Sequence, residues 1–284
     1  MPRVSIPFIT WNHEKYIGQA IESLAKQSFR DFEILFLDNC STDNTHAVAI
    51  ETFKTYGLQI RDCSPNAPQG VSTNLNCMIE LAEGELIAPI SGDDWWHQEN
   101  LIKKVAFFDQ NPETGLLYSG GYTYYDHEDR LELMDTRNAH SGQVFDKLLQ
   151  GNFVVGIGNV VPKKVYKELG LYNTNLKIED WDMWLRIAQH YKVGYIPEPL
   201  IYYRRHSNSY SHYSESYLEE QKKVIEPYAS YKSYKKGLKT IERFRISNEP
   251  ASVGNILRAL KQVEPNIYSI KILLASIKRL LLDR

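Results

Sequence analysis

Two pairs of adjacent carboxylates stand out along the chain. Asp93-Asp94 lies within Ile90-Ser-Gly-Asp-Asp-Trp-Trp96, and Glu179-Asp180 opens Glu179-Asp-Trp-Asp182. Carboxylates with no basic neighbour repel each other unless a cation or a donor compensates. At the first pair, a divalent metal carrying a phosphate ligand would do so. The competing reading is helix capping. Ser, Gly and Asp crowd the start of the helix that should follow Asp94, and acids in a first helical turn are stabilised by the macrodipole at Glu179 to Asp182. A third group, Arg204-Arg205-His206, is of a kind that suits a phosphate and a metal, although a lone histidine is more often a surface residue.

The elements that must position these groups are legible from periodicity. The apolar run Glu85 to Ile90 reads as a short buried strand ahead of the first pair. Leu101, Ile102, Val105 and Phe108 mark the helix after it. Upstream, Val4 to Ile9 is a strand in which Pro7 removes one ladder donor, leaving part of it unpaired on one side. Helices follow through Tyr16 to Ala25, Val48 to Phe53, and Leu75 to Ala82, the last placed to end at Gly84. Between them lie strands at Glu33 to Leu37 and Leu58 to Ile60. Strands alternating with helices over short connections predict a parallel sheet with right-handed crossovers, and ligands of such sheets bind beyond the carboxyl ends of the strands. Neither a dinucleotide-binding glycine fingerprint nor a P-loop occurs. A nucleotide would therefore be held by side chains at strand ends: Thr10, Trp11 and Asn12 after the first strand, Asp38 and Asn39 after the second. Trp11 could stack on a base or be a core or rim aromatic, and Asp38 and Asn39 could equally be turn residues.

Beyond Pro112, strands are predicted at Leu116 to Gly120 and at Gly121 to Tyr125, the latter in a hairpin with Leu131 to Met134. A helix is predicted at Gln143 to Leu149. Asn152 to Val161 is an apolar, glycine-punctuated stretch, either a close backbone approach to a ligand or a bulged strand. The helix opened by Glu179 carries Trp181, Trp184, Leu185 and Ala188 on its apolar face. Gly194 to Ile196 and Leu200 to Tyr203 read as two strands that deliver Arg204 to His206 into a polar loop. After Tyr213 the chain is mostly helical, with Tyr228, Tyr231 and Tyr234 at i, i+3 spacing. A further helix is predicted from Pro250, broken at Glu264 to Asn266. The last, Ile267 to Leu282, is amphipathic and basic, and reads either as a helix lying on an anionic membrane surface or as one docked on the protein or on a second copy.

Composition sets bounds. With 43% hydrophobic and 24% charged residues, the chain is of ordinary globular type. It lacks an apolar run long enough to span a bilayer. Met1-Pro2-Arg3 leads straight into a strand, leaving no room for a signal peptide, and three cysteines without metal-ligand spacing fit reduced thiols. A cytoplasmic location is the expectation. Net charge is −2, unevenly distributed: Pro227 to Arg284 holds 12 Lys and Arg against 4 Asp and Glu, net +8, which leaves −10 before it. A basic tail on an acidic body points to an anionic partner, or simply to a solvated helical face. No nucleic-acid reader motif accompanies it.

Several stretches agree, in order, with one family. Val4-Ser-Ile-Pro-Phe-Ile-Thr-Trp-Asn12, Ala20-Ile-Glu-Ser23, Phe32-Glu-Ile34, Asp38-Asn-Cys-Ser-Thr-Asp43, Gly70-Val-Ser72 with Asn76, Ala82-Glu-Gly84, Gly92-Asp-Asp-Trp95, Glu179-Asp-Trp-Asp182 and Tyr203-Arg-Arg-His206 make the chain resemble the family 2 glycosyltransferases. The resemblance covers Val4 to about Ser211 and implies an α/β GT-A fold, a mostly parallel sheet flanked by helices, over residues 1–212; the basic, helical C-terminal extension expected over 213–284 lies outside it. The resemblance also implies an inverting transfer of a sugar from a nucleotide-diphosphate sugar, a UDP-sugar by preference, to a hydroxyl of a glycan or lipid-linked acceptor in polysaccharide synthesis, with the enzyme in the cytoplasm or peripheral at the inner membrane face.

The implied roles are a nucleotide site at Thr10, Trp11, Asn12, Asp38, Asn39, Asp93 and Arg204, and Mn2+ or Mg2+ on Asp94, Asp93 and His206. Asp180 would be the general base, with Glu179 and Trp181 on the acceptor side. Three departures are visible. Asn39 replaces the usual Asp, Ser91 replaces the first Asp of the metal motif, and Leu75 stands where an Arg is common. A nucleotidyltransferase, or a non-catalytic nucleotide- or carbohydrate-binding domain on the same fold, is the alternative. The first usually brings a basic glycine-rich loop, and the second needs no base.

Overall fold

The computed structural model describes residues 1–206 and 215–248. Strand β1 (Val4–Thr10) is the axis of a six-stranded sheet. It runs parallel to β2 (Phe32–Asp38) through seven residue pairs, from Val4 opposite Phe32 to Thr10 opposite Asp38. β3 (Ile60–Asp62) lies beyond β2. On the other side of β1 the predicted strand from Glu85 to Ile90 is two short pieces, β4 (Leu86–Ile87) and β5 (Ile90–Ser91). They pair with Val4–Ser5 and with Phe8–Ile9, skipping Ile6 and Pro7. The gap falls where Pro7 has no N–H to give, as its position in the sequence implied. The helices are α1 (Ile17–Ala25), α2 (Thr45–Thr55) and α3 (Val71–Leu81). Phe8, Phe36 and Phe53 meet between sheet and helices with ring centroids 5.4–5.9 Å apart, in tilted and edge-on contacts that aromatic quadrupoles favour.

Two boundaries shift for local reasons. β3 starts at Ile60 rather than Leu58, because Gly57 is left-handed (φ +65°) and Leu58 N–H still closes on the Phe53 carbonyl, 2.9 Å, as a helix C-terminus. α3 ends without a left-handed glycine. Gly84 is instead pressed on β1, where a Cβ would stand 2.6 Å from the Ser5 nitrogen, so close strand approach is what requires it.

After β6 (Trp95–Trp96) and α4 (Asn100–Gln110), a second sheet forms in the order β6–β10–β7–β8. β7 (Thr114–Tyr125) is one long strand and makes the expected hairpin with β8 (Arg130–Leu133), Tyr125 opposite Arg130. β10 (Lys192–Arg205) is also continuous. The two strands read from the sequence are joined across Pro197 and Pro199, where the parallel register with β7 shifts. Asn152 to Val161 is mostly irregular and ends in β9 (Val161–Pro162), antiparallel to β4. This loop is held by Lys104, whose buried ammonium donates to the Gly158 carbonyl and whose pKa burial lowers to about 7. The remaining helices before residue 206 are α5 (Phe145–Gln150), α6 (Lys163–Leu169) and α7 (Glu179–His190).

Contacts divide the chain into two units. The first comprises Met1–Phe145, Phe153–Asn175 and Glu179–Ser209. The second gathers Asp146–Asn152, Leu176–Ile178 and the described residues beyond Tyr210. Within it, α8 (Glu215–Ile225), a 3-10 turn (Glu226–Tyr228) and α9 (Tyr234–Asn248) bury Leu218, Val224, Ile225, Tyr228, Ile241 and Ile246. Ser233 donates to Asp146 at 2.5 Å, and Glu220 accepts the Lys177 N–H at 3.2 Å. Tyr228, Tyr231 and Tyr234 do not form one helical stripe, because the turn ends before α9 begins. The helix predicted from Pro250, its break at Glu264 to Asn266 and the amphipathic segment 267–282 lie outside the described residues. No helix among the described residues is long and apolar enough to cross a membrane.

Candidate active site

The parallel register brings the ends of β1, β2 and β5 together, and the turns beyond them are tied to one another. Asn12, left-handed at φ +55°, donates its N–H to the Ser41 hydroxyl at 2.8 Å and accepts the Thr42 N–H on its amide oxygen at 2.8 Å. Asp38 accepts the Ser41 N–H at 3.1 Å and the Ser41 hydroxyl. The Asn39 amide pairs both ways with the Gln69 backbone, at 3.0 and 2.9 Å. The side chains of Asn12, Asp38 and Asn39, expected on a nucleotide, are thus engaged in loop construction, which is the turn chemistry the sequence also allowed. Trp11 is different. It is 56% exposed at the strand end, so it is no core residue and presents a free aromatic surface. Thr10 is buried, and its hydroxyl has no hydrogen-bond partner among the described residues.

Asp93 and Asp94 lie in the link that carries the chain from β5 in the first sheet to β6 in the second. Neither caps a helix: α4 begins only at Asn100, and its cap residue Glu99 makes no side-chain cap bond. The two aspartates then part company. Asp93 Oδ2 is 3.2 Å from His206 Nε2 and 3.9 Å from His13 Nε2, and its Oδ1 accepts the Ser91 hydroxyl. Burial alone would raise its pKa, but His206, His13 and Ser91 outweigh that and hold it below the ordinary carboxylate value. Burial, reinforced by His206 and opposed by Asp93, lowers the pKa of His13 and so favours the neutral ring, whose one unprotonated nitrogen can ligate a metal. His13, Asp93 and His206 offer ligand atoms within 4.8 Å of one another. Gly92 packs closely on Thr10 and His13, since a Cβ there would stand 2.6 Å from Thr10 Oγ1 and 3.1 Å from His13 Nδ1. Two imidazoles and a carboxylate set this close together are a donor set that fits a divalent metal.

Asp94 was expected among the metal ligands, and the structure places it elsewhere. It is 2% exposed, and its Oδ1 accepts the Arg204 N–H at 2.9 Å. Burial and then the charge on Asp93 push its pKa well above the usual range. It stands outside the three-residue cluster and fastens β10 to the β5–β6 link.

Arg204 is likewise not free to meet a phosphate. It is 4% exposed. Its guanidinium donates to the Asp93 carbonyl at 3.0 Å, Asp126 Oδ1 at 3.0 Å and Gln19 Oε1 at 2.5 Å, and it is ringed by Tyr16, Trp95 and Tyr124 at 4.7–5.0 Å. Asp126 keeps Lys15 at 2.8 Å when Arg204 is lost, so the cost is that of the lost charged hydrogen bonds, about 1.5–3 kcal/mol. Arg204→Ala should therefore lose stability on that scale in urea unfolding. A loss under about 1 kcal/mol would show that the cage contributes little.

At the second acidic cluster, Trp181 is 2% exposed and belongs to the core, which removes it from the acceptor side. Asp182 pairs with Arg186 at 2.9 Å, whose guanidinium in turn binds the Leu169 and Leu171 carbonyls at 2.9 Å each. That pair is structural. Asp180 Oδ1 accepts the Trp181 N–H at 2.6 Å, while a Cβ on Gly156 would be 3.3 Å from its Oδ2. Burial, then the charge on Asp180, raises the Glu179 pKa to about 7. The loop that passes Asp180 at Gly156 reaches Trp96 at Gly158, where a Cβ would be 3.2 Å from the indole nitrogen. Three residues of chain thus run from Asp180 to Trp96. His13 is the residue that sequence reading missed. Its signal was slight: a histidine one step past the strand-end triplet Thr10-Trp-Asn12.

An uncharacterized protein of Mycobacterium tuberculosis is 27% identical over 214 residues, 74% of this chain and 60% of that protein. An uncharacterized glycosyltransferase of Methanocaldococcus jannaschii is 26% identical over 206 residues, 72% of this chain and 71% of that one. Among solved structures, S. aureus TarS 1-349 in complex with UDP-GlcNAc has a TM-score of 0.70 at 18% identity, covering 96% of this chain and 79% of that chain. Mannosyltransferase PcManGT from Pyrobaculum calidifontis, in complex with GDP-Man and Mn2+, has a TM-score of 0.62 at 16% identity, covering 100% and 88%. These likenesses show the GT-A fold. Since residues 5–170 match the description Glycosyl transferase family 2, more than half of the chain, the protein belongs to that family.

Proposed function

We propose that this protein transfers a sugar, with inversion, from a UDP-sugar to a hydroxyl of a glycan or lipid-linked acceptor. The observation that carries the reading is the cluster of Asp93 with His206 and His13 beyond the carboxyl ends of the parallel strands. TarS, with UDP-GlcNAc, supports a UDP-sugar, and PcManGT, with GDP-Man and Mn2+, supports a metal-assisted donor site. A divalent Mn2+ or Mg2+ bound by Asp93 and His206 would offset the charge that builds on the diphosphate as it leaves. Trp11 would stack on the base. Asp180 accepts the proton of the acceptor hydroxyl as its oxygen bonds to the anomeric carbon, while the bond from that carbon to the diphosphate oxygen breaks and its electron pair departs with UDP. Glu179, beside Asp180, lines the acceptor side. Residues 267–284 would hold the enzyme at the cytoplasmic face of an anionic membrane, in polysaccharide synthesis.

The test is incubation with a panel of UDP- and GDP-sugars, Mn2+ and candidate acceptors, reading free nucleoside diphosphate and glycosylated product. Transfer with release of UDP supports the reading. Release of sugar 1-phosphate, the leaving group when the nucleotidyl group is transferred, would mark a nucleotidyltransferase, and tight binding without turnover of any donor would mark a binding domain.

A further inference from the structure

Magnesium in nucleotide sites is usually held by one or two carboxylates and by the phosphates themselves. The end of β1 adds something different here. His13 is fixed by its backbone: its N–H donates to the Thr45 hydroxyl at 2.7 Å, and its carbonyl accepts the N–H groups of Tyr16 and Ile17 at 2.8 and 2.9 Å. Its imidazole is turned inward, with Nδ1 buried and without a hydrogen-bond partner among the described residues. The 3.9 Å from Nε2 to Asp93 Oδ2 is too long for a hydrogen bond. The nitrogen that faces Asp93 is Nε2, and a shared cation is one way to link the two groups across that distance.

The spacing suits a shared ion. Donors about 2.1 Å from one cation stand ~3.0–3.5 Å apart at right or tetrahedral angles and ~4.2 Å apart when opposite. The two histidine separations from Asp93 Oδ2, 3.2 and 3.9 Å, fall inside that span, and the rings stand nearly perpendicular, 85°, with centroids 6.2 Å apart. The three residues come from three places in the fold: just past β1, just past β5 and just past β10.

We propose that His13 is a third protein ligand, so that His13, Asp93 and His206 form a two-imidazole, one-carboxylate site that takes a transition metal in preference to Mg2+ and holds it before the nucleotide arrives. The inference rests on the metal reading of the site given above and specifies its chemistry. Imidazole suits later first-row ions, whereas Mg2+ favours carboxylate, carbonyl and water oxygens. Mg2+ also surrenders its waters reluctantly and is rarely caged by protein groups. Three ligands set in place by the fold leave further coordination positions for diphosphate oxygens.

The test is titration of Mn2+ onto the full chain without nucleotide, with free Mn2+ read by electron paramagnetic resonance and Mg2+ as competitor. The wild type should bind Mn2+ with at least about tenfold preference over Mg2+. His13→Ala and His13→Gln should each weaken Mn2+ binding by about 10–100-fold, the scale on which metal sites respond to disturbed ligation. A readout that needs no variant guards against misfolding: substoichiometric Mn2+ should broaden the His13 imidazole signals of the wild type in NMR. Unbroadened His13 signals, or Mn2+ affinity unchanged in both His13 variants, would overturn the inference. Asp93→Asn separates the two levels. If it abolishes binding while both His13 variants retain it, the third ligand is wrong and the metal reading stands. If it too binds as wild type, the metal reading falls as well.

Discussion

Asp180→Asn should lower kcat by roughly 10²-fold or more, with the fold and the Mn2+-dependent affinity for UDP unchanged. The substitution keeps an oxygen that can accept the Trp181 N–H, the 2.6 Å contact of the carboxylate, while removing basicity. If that contact were the whole role of Asp180, the variant would lose about 1 kcal/mol or less and turn over normally. Glu179 gives the control, and its pKa of about 7 makes the two residues separable. The raised value means that the protonated form is favoured by folding. The stability it contributes is fully present below about pH 4.5 and is lost as pH rises through about 7. Glu179→Gln should escape that loss, gaining up to about 3 kcal/mol relative to wild type at pH 8 and nothing at pH 4.5, measured by urea unfolding. In turnover, an acid limb of kcat near pH 7 that vanishes in Glu179→Gln, together with normal kcat in Asp180→Asn, would transfer the base role to Glu179.

Asp93→Asn should abolish metal-dependent UDP binding, a loss of at least about 10²-fold by calorimetry with and without Mn2+, because it takes away the one carboxylate of the cluster. Its neighbour should behave in the opposite way. Asp94→Asn preserves an acceptor for the Arg204 N–H and removes a buried charge. The Asp94 pKa is raised, so the stability linked to its protonation is present below about pH 4 and lost as pH climbs through its folded value. The asparagine variant avoids that loss and should be at least as stable as wild type at neutral pH, with Mn2+-dependent UDP affinity retained. Asp94→Ala, by contrast, orphans a buried N–H and should cost about 1–3 kcal/mol. A variant at Asp94 that loses metal-dependent binding while Asp93→Asn keeps it would reverse the assignment of the pair.

Much of the architecture was carried by local pattern. Alternating strand and helix runs with short connections demanded a parallel sheet, and its register from Val4 opposite Phe32 to Thr10 opposite Asp38 put the polar strand ends in one row. Pro7 announced the break between β4 and β5. The apolar face of Trp181, Trp184, Leu185 and Ala188 set α7 against the core and so located Glu179 and Asp180 at its first turn. These are properties of neighbours in the chain, where backbone geometry converts spacing directly into a shared face.

The division of labour between Asp93 and Asp94 is of another kind. Both lie in a link rather than in a strand or helix, so no period assigns their directions. Those are set by the pairing of Ser91 with Ile9 on one side and of Trp95 with Tyr202 on the other. Arg204 reads in the sequence as a free phosphate ligand. Its cage is assembled from Tyr16, Gln19, Trp95, Tyr124 and Asp126, residues that only the packing of three separate segments brings within reach. His13 joins Asp93 and His206 for the same reason. Spacing along the chain determined which elements form and where their ends fall. Which side chains at those ends gather into the ligand cluster, and which are consumed in holding the ends together, was decided by contacts between residues distant in sequence.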